Sequence, residues 1–212
     1  MLKILTNNRL FFVLFLFWVI FGALLQIFFT PTQLIFWINE HYTNLLDWLF
    51  YYVTLLGEDT VWLCLMFGLM FEHYVRVHKK SYEMKSLLVV WLVKGLVSVS
   101  LKRVFNYPRP LQVYEYLGRQ THLVEGITIH RWQSFPSGHT ITAFALAVFI
   151  AIILKQKKGA IFALIVAMLV GYSRIYLFQH FPIDVFVGSI LGVGVVVLIE
   201  QTLLIHWFRQ SA

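Results

Sequence analysis

Charge is scarce in this sequence and cysteine is nearly absent. Of 212 residues, 13% are Asp, Glu, Lys or Arg, about half the share of an ordinary soluble domain. Too few charges remain to cover a water-soluble globule of this size, so that class is excluded. The single cysteine, Cys64, excludes an intramolecular disulfide framework, and because it lies in an apolar run it carries no information about the redox compartment. Internal repeats and low-complexity linkers are missing, and so is any cluster of Cys, His and carboxylates at metal-ligand spacing. What is abundant is apolar: 59% of the chain is hydrophobic and 17% aromatic, which rules out disorder.

Long apolar runs account for this excess. A bilayer core about 30 Å thick takes a helix of about 20 residues, and six runs approach that length, at about 10–29, 56–75, 86–105, 138–154, 159–178 and 182–205. The second and fourth are short as written and need neighbouring residues such as Tyr51 to Leu56, or shelter inside the bundle. The runs are continuous, unlike the alternating strands of about 10 residues in a membrane barrel. The expected fold is therefore all-α: a polytopic membrane protein with six transmembrane helices, forming one integral membrane domain over residues 1–212. The first run is too long for a signal-peptide core and lacks a small-residue cleavage site, so it is read as a retained anchor.

Basic residues set the orientation. With the N-terminus inside, the inner segments hold Lys3, Arg9, Arg76, Lys79, Lys80, Lys85, Lys155, Lys157, Lys158 and Arg209, against Lys102, Arg103, Arg109, Arg119, Arg131 and Arg174 outside. This asymmetry puts both termini on the inner side. It also explains the formal charge of +7 without nucleic acid as a partner. Between the first two spans, Leu34, Trp37, Ile38, Leu45, Trp48 and Leu49 recur at helical spacing, so Gln33 to Phe50 reads as a helix lying in the outer interface.

Densely polar sequence on the outer side is confined to three stretches, all at the outer ends of helices three to six. In the first, Lys102 falls on the last helical turn, and Pro108 and Pro110 put Arg109 on a stiff hook beyond it. Two cations on a rigid frame suit an anion with several oxygens, although Lys and Arg also anchor helix ends at interfaces. In the second, Ser134 to Thr140, Ser137 and Gly138 occupy an N-cap and first turn. There the unpaired N–H groups favour an anion, and His139 beside it can give a proton. In the third, Ser173 to Asp184, Pro182 opens helix six. His180 then lies just before that helix and Asp184 in its first turn, close enough to orient the imidazole for attack. Asp184 is equally favourable to the helix dipole, and Arg174 and His180 also suit an interface.

These stretches read KxxxxxxRP (Lys102 to Pro110), PSGH (Pro136 to His139) and SRxxxxxHxxxD (Ser173 to Asp184). Together they resemble the three-part signature of the type 2 phosphatidic acid phosphatase superfamily, which also contains the vanadium-dependent haloperoxidases. Every signature position is filled, in order and at the expected spacing. The resemblance implies that Lys102, Arg109 and Arg174, with Ser137 and the N–H of Gly138, bind phosphoryl oxygens. It further implies that His180 is the nucleophile forming a phosphohistidine, that Asp184 orients it, and that His139 protonates the leaving oxygen and then activates water. No metal and no cofactor are expected, because three fixed cations neutralise the phosphoryl oxygens. The implied substrates are lipid phosphates or pyrophosphates, including undecaprenyl pyrophosphate, phosphatidylglycerol phosphate, phosphatidate and the phosphates of lipid A. The implied setting is a bacterial inner membrane with the site facing the periplasm.

Two alternatives stay open at this stage. A lipid phosphotransferase would pass the phosphoryl group to an alcohol, and a transporter or channel with an anion-binding outer site would also carry intramembrane charge. Leu111 to Phe135 reads as a long outer loop which, with Glu58 and Asp59, is expected to contact the headgroup. Lys94, near the middle of helix three, either extends a polar stripe inward through Ser98 and Lys102 or pairs with a bundle carboxylate such as Glu200 or Glu72.

Overall fold

A computed structural model describes residues 2–75, 81–154 and 156–210. These residues form ten helices: α1 (Leu2–Asn7), α2 (Arg9–Phe28), α3 (Pro31–Glu40), α4 (Asn44–Leu55), α5 (Asp59–Val75), α6 (Ser81–Phe105), α7 (Pro110–Tyr116), α8 (Gly138–Leu154), α9 (Lys157–Tyr176) and α10 (Pro182–Gln210). Among the described residues there is no strand. Arg76, Lys79, Lys80 and Lys155, four of the inner basic residues used for orientation, lie outside the described residues.

Among the described residues, four segments are long and apolar enough to cross a membrane: Arg9–Phe28, Tyr82–Tyr116, Lys157–Tyr176 and Pro182–Thr202. The pair α4 and α5, bent by 50° at its break, makes a fifth if it counts as one span. In α2 only 6% of the span is buried, and Phe17, Ile27 and Phe28 are exposed. A helix apolar on its outward face is at home in lipid and not in water. These features fit a multi-pass membrane protein.

Helix α8 has only 17 residues, but it is the most enclosed. Residues 140–145 are all buried, and Phe144, Val148 and Phe149 meet Trp62 of α5, Leu164 and Val170 of α9 and Val196 of α10 in the main apolar core. Neighbouring helices cover it, so its length is not set by lipid alone. Small residues allow the close packing. A Cβ added at Gly192 of α10 would lie 2.5 Å from the Ile141 carbonyl oxygen, and one at Gly188 would lie 3.0 Å from that of Ser137. On the lipid-facing side, α2 is pinned to α10 by Trp18, whose indole N–H donates to Ser189 Oγ at 3.0 Å.

Two expectations are revised. The single helix expected over Gln33 to Phe50 is two helices, interrupted at 41–43. Each has its own start: Thr30 and Gln33 form a capping box on α3, and the Thr43 hydroxyl accepts from Leu46 N–H at 3.2 Å to open α4. A local side-chain bond of this kind competes with continuing the previous helix. The outer loop from Leu111 to Phe135 is also not loop throughout, since Pro110 at the first helical position starts α7. A second apolar cluster, with Phe36, Phe50, Tyr114, Tyr176 and Phe178, packs these outer helices onto the end of α9.

Candidate functional site

The topology brings four helix ends to one end of the bundle: the C-termini of α6 and α9 and the N-termini of α8 and α10. Asn106, with φ +38°, closes α6 in the left-handed region that Asn tolerates. Pro108 then turns the chain away. Residues 107–109 pair with 131–134 through Arg109 N–H to the Arg131 carbonyl (2.8 Å) and Ser134 N–H to the Tyr107 carbonyl (3.0 Å). The first two polar stretches are thus tied together by backbone.

Arg109 is 5% exposed. Its Nε donates to the Trp132 carbonyl at 3.0 Å, and one terminal nitrogen donates to Gln179 Oε1 at 3.0 Å. Arg174, 6% exposed, donates from a terminal nitrogen to Thr54 Oγ1 at 2.6 Å, while its buried Nε has no hydrogen-bond partner. Lys102 is half-buried. A Cβ at Gly138 would lie 3.4 Å from both Lys102 Nζ and Ser98 Oγ, so the absence of a side chain at 138 leaves the lysine facing the backbone of the first turn of α8.

That turn is built as expected. Ser137 Oγ accepts from Thr140 N–H at 3.4 Å and from the Thr140 hydroxyl at 2.8 Å. Ser137 N–H donates to the Asp184 carbonyl at 3.1 Å, joining the starts of α8 and α10. His139 is half-buried on the same turn, its Cβ lying 2.9 Å from the place a Cβ on Gly57 would take. The break between α4 and α5 can pass this closely only because residue 57 is glycine.

His180 is fully buried, at 1% exposure, in the short connection between α9 and α10, with its backbone N–H donating to the Arg174 carbonyl. Burial, then the positive charges of Arg109, Arg174 and Lys102 and of neighbouring His139, holds its imidazole well below the ordinary histidine value. At neutral pH it is therefore uncharged and keeps a free lone pair. Its Nδ1 lies 3.4 Å from Asp184 Oδ2 but is not aligned for a hydrogen bond. The hydrogen bond expected from the sequence is thus a close approach, because the same carboxylate oxygen already accepts from the Ser134 hydroxyl (2.5 Å) and the Phe181 N–H (2.9 Å). At the rim, partial burial and the charges of Arg109, Lys102 and Arg174 lower His130 as well.

All eight residues singled out from the sequence, namely Lys102, Arg109, Ser137, Gly138, His139, Arg174, His180 and Asp184, gather here. Three more hold them in place and were not singled out: Ser134 on Asp184, Gln179 on Arg109 and Thr54 on Arg174. Ser134 opens the second polar stretch and Gln179 lies inside the third motif, which is the only hint the sequence offered. Thr54 carried no signal. Lys94 pairs with a carboxylate, as one of the two alternatives had it, but the carboxylate is Asp59 and not Glu200 or Glu72, and the lysine also donates to Thr142 Oγ1 at 3.0 Å. Glu200 is met instead by the hydroxyls of Tyr82 and Ser86. Among the described residues, no three of His, Cys, Asp and Glu converge to hold a metal ion.

Known proteins resemble this chain in sequence and fold. The chain is 30% identical over 145 residues to Lipid phosphate phosphatase 1 of Arabidopsis thaliana, covering 55% of this chain and 43% of that protein. It is 29% identical over 158 residues to an Undecaprenyl-diphosphatase of Sulfolobus acidocaldarius, covering 73% and 69%. The crystal structure of Aquifex aeolicus LpxE superposes with a TM-score of 0.68 at 29% identity, over 80% of this chain and 94% of that one. A family model described as the PAP2 superfamily matches residues 83–209. Since that match runs through all three polar stretches and more than half of the sequence, the chain belongs to the PAP2 superfamily.

Proposed function

We propose that this protein is a membrane lipid phosphatase. It removes the terminal phosphate of a lipid phosphate or pyrophosphate at the outer, periplasmic face of a bacterial inner membrane, from a single domain of six spans with both termini inside. The sixth span in this reading is α8, sheathed by its neighbours. The observation that carries the chemistry is a fully buried imidazole 3.4 Å from a carboxylate, which burial and the charges of Arg109, Arg174 and Lys102 hold well below the ordinary histidine value.

In the first step the three cations, Ser137 and the N–H of Gly138 hold the phosphoryl oxygens, and spreading their charge supplies most of the stabilisation. The imidazole of His180, steadied through Nδ1 by Asp184, attacks phosphorus from Nε2. The bond from phosphorus to the leaving oxygen breaks, and His139 gives that oxygen its proton. In the second step His139 takes a proton from water, which displaces His180 and releases inorganic phosphate. Fixed cations do the neutralising, so turnover is expected to survive chelators. A lipid substrate is favoured because the site opens at the end of a membrane bundle.

Phosphate release in detergent from a panel of lipid mono- and pyrophosphates, with EDTA present, tests the reading. Turnover that resists EDTA and disappears in His180→Ala is the expected result. Folded protein inactive on every lipid would overturn it, and transfer to an added alcohol without hydrolysis would make it a phosphotransferase.

A further inference from the structure

Beneath the site, a cleft of about 320 Å³ runs inward between α5, α6 and α8. Its outer end is formed by Lys102, Gly138 and His139, and its inner end by Lys94, Asp59 and Thr142. Taking the proposed function as given, we propose that this cleft is a second anion subsite. Lys94 is its ligand, and it takes a leaving group that carries its own phosphate or phosphodiester.

The position of the cleft indicates what occupies it. In the proposed reaction the leaving oxygen lies beside His139, so the rest of the substrate extends from that side, and the cleft starts there. Its walls carry Glu58, Asp59, Ser98 and Thr142 beside Val99 and Ile141, and a bare hydrocarbon chain would leave those polar groups unpaired. A neutral alcohol could use the hydroxyls, but it gives no reason for a buried cation. Lys94 is 3% exposed and stands two helical turns inward from Lys102, with Ser98 between them on the same face. An ion pair serving only the bundle would be packed shut, whereas this one borders open space. Gly95, on the same wall, would carry a Cβ with nothing within 4 Å.

The partner of Lys94 makes the subsite selective. Asp59 is 59% exposed, so its carboxylate has room to turn away when an incoming anion takes the lysine. A neutral leaving group cannot break the pair and leaves the subsite closed. Discrimination then comes from competition as much as from attraction.

Farnesyl diphosphate and farnesyl phosphate share one tail, but loss of the terminal phosphate leaves an anion from the first and a neutral alcohol from the second. In Lys94→Met the ratio of kcat/KM for diphosphate over monophosphate is expected to fall tenfold or more, through KM. In Asp59→Asn, which frees the lysine, the ratio is expected to rise. A ratio within twofold of wild type in both variants would overturn the subsite. Wild-type protein that hydrolyses neither of these and no lipid of the wider panel would overturn the phosphatase reading instead. The subsite is then judged by titrating the two lipids into folded His180→Ala protein with and without Lys94→Met, where equal loss of affinity for both would overturn it.

Discussion

Two buried carboxylates, at opposite ends of the bundle, do different work. Glu200 on α10 is 2% exposed and is met by two hydroxyls of α6, from Tyr82 at 2.8 Å and from Ser86. Asp184, sixteen helix positions earlier in the same α10, is equally buried, but one of its oxygens serves Ser134, a backbone N–H and the flank of His180 at once. Neutral hydroxyls around an acid make a staple between helices. An acid shared with an imidazole under three cations is arranged to act. Burial alone does not distinguish the two; the partners do.

The comparison is broken most severely at the outer end. His180→Ala is expected to lower phosphate release by about 10⁴-fold or more, the scale of losing a nucleophile, while the melting temperature stays close to wild type. Arg109→Lys keeps the charge but loses the fork that Gln179 and Trp132 hold. A fall of roughly 10²-fold in kcat/KM is expected for one such anion-stabilising group, measured on a single lipid phosphate. Ser134→Ala removes the hydroxyl from Asp184 without touching the substrate. An effect of roughly tenfold on kcat is expected, with a shifted acid limb in the pH profile that a packing defect would not produce.

Acid sharpens the contrast. The folded value of His180 is depressed, so the unfolded chain takes up a proton near pH 6.5 that the folded chain refuses. The stability contributed by the neutral imidazole is complete above about pH 6.5 and drains away as pH falls below it. The acid limb of kcat/KM is therefore expected below pH 6.5 in wild type, and tracking unfolding across the same range separates loss of fold from loss of chemistry. Smallest of all, Glu200→Gln is expected to lower stability by about 1–3 kcal/mol, read as a drop in melting temperature, with turnover per folded molecule unchanged. A large loss of turnover in that variant would end the distinction between staple and site.

Much of this was legible before the structure. The ends of α6, α9 and α10 sit within a few residues of the apolar runs, because a run of Leu, Val and Phe between polar ends reports directly on a lipid-spanning helix. The three motifs are also local patterns. Their meeting followed from counting spans, since alternate helix ends fall at one face. The break at 41–43 was hidden because Thr43 acts as a cap only when the chain turns there, and hydrophobic spacing continued straight across it. Ser134, Gln179 and Thr54 were missed because neutral polar side chains gain meaning only from what stands opposite. The partner of Lys94 was missed for a related reason: Asp59 is 35 positions away, and nothing along the chain says which wall of the bundle a cation will face.

The contact at Gly192 reaches further than its position suggests. Asp184, Gly188 and Gly192 repeat every four residues along one face of α10, and the two glycines rest on the backbone of α8 below Ser137 and Ile141. One methyl group at 192 would act as a wedge, prising the rod that bears His139 from the rod that begins beside His180. The spacing of the two imidazoles is thus gauged two turns below them, by the missing side chain of a residue that touches neither.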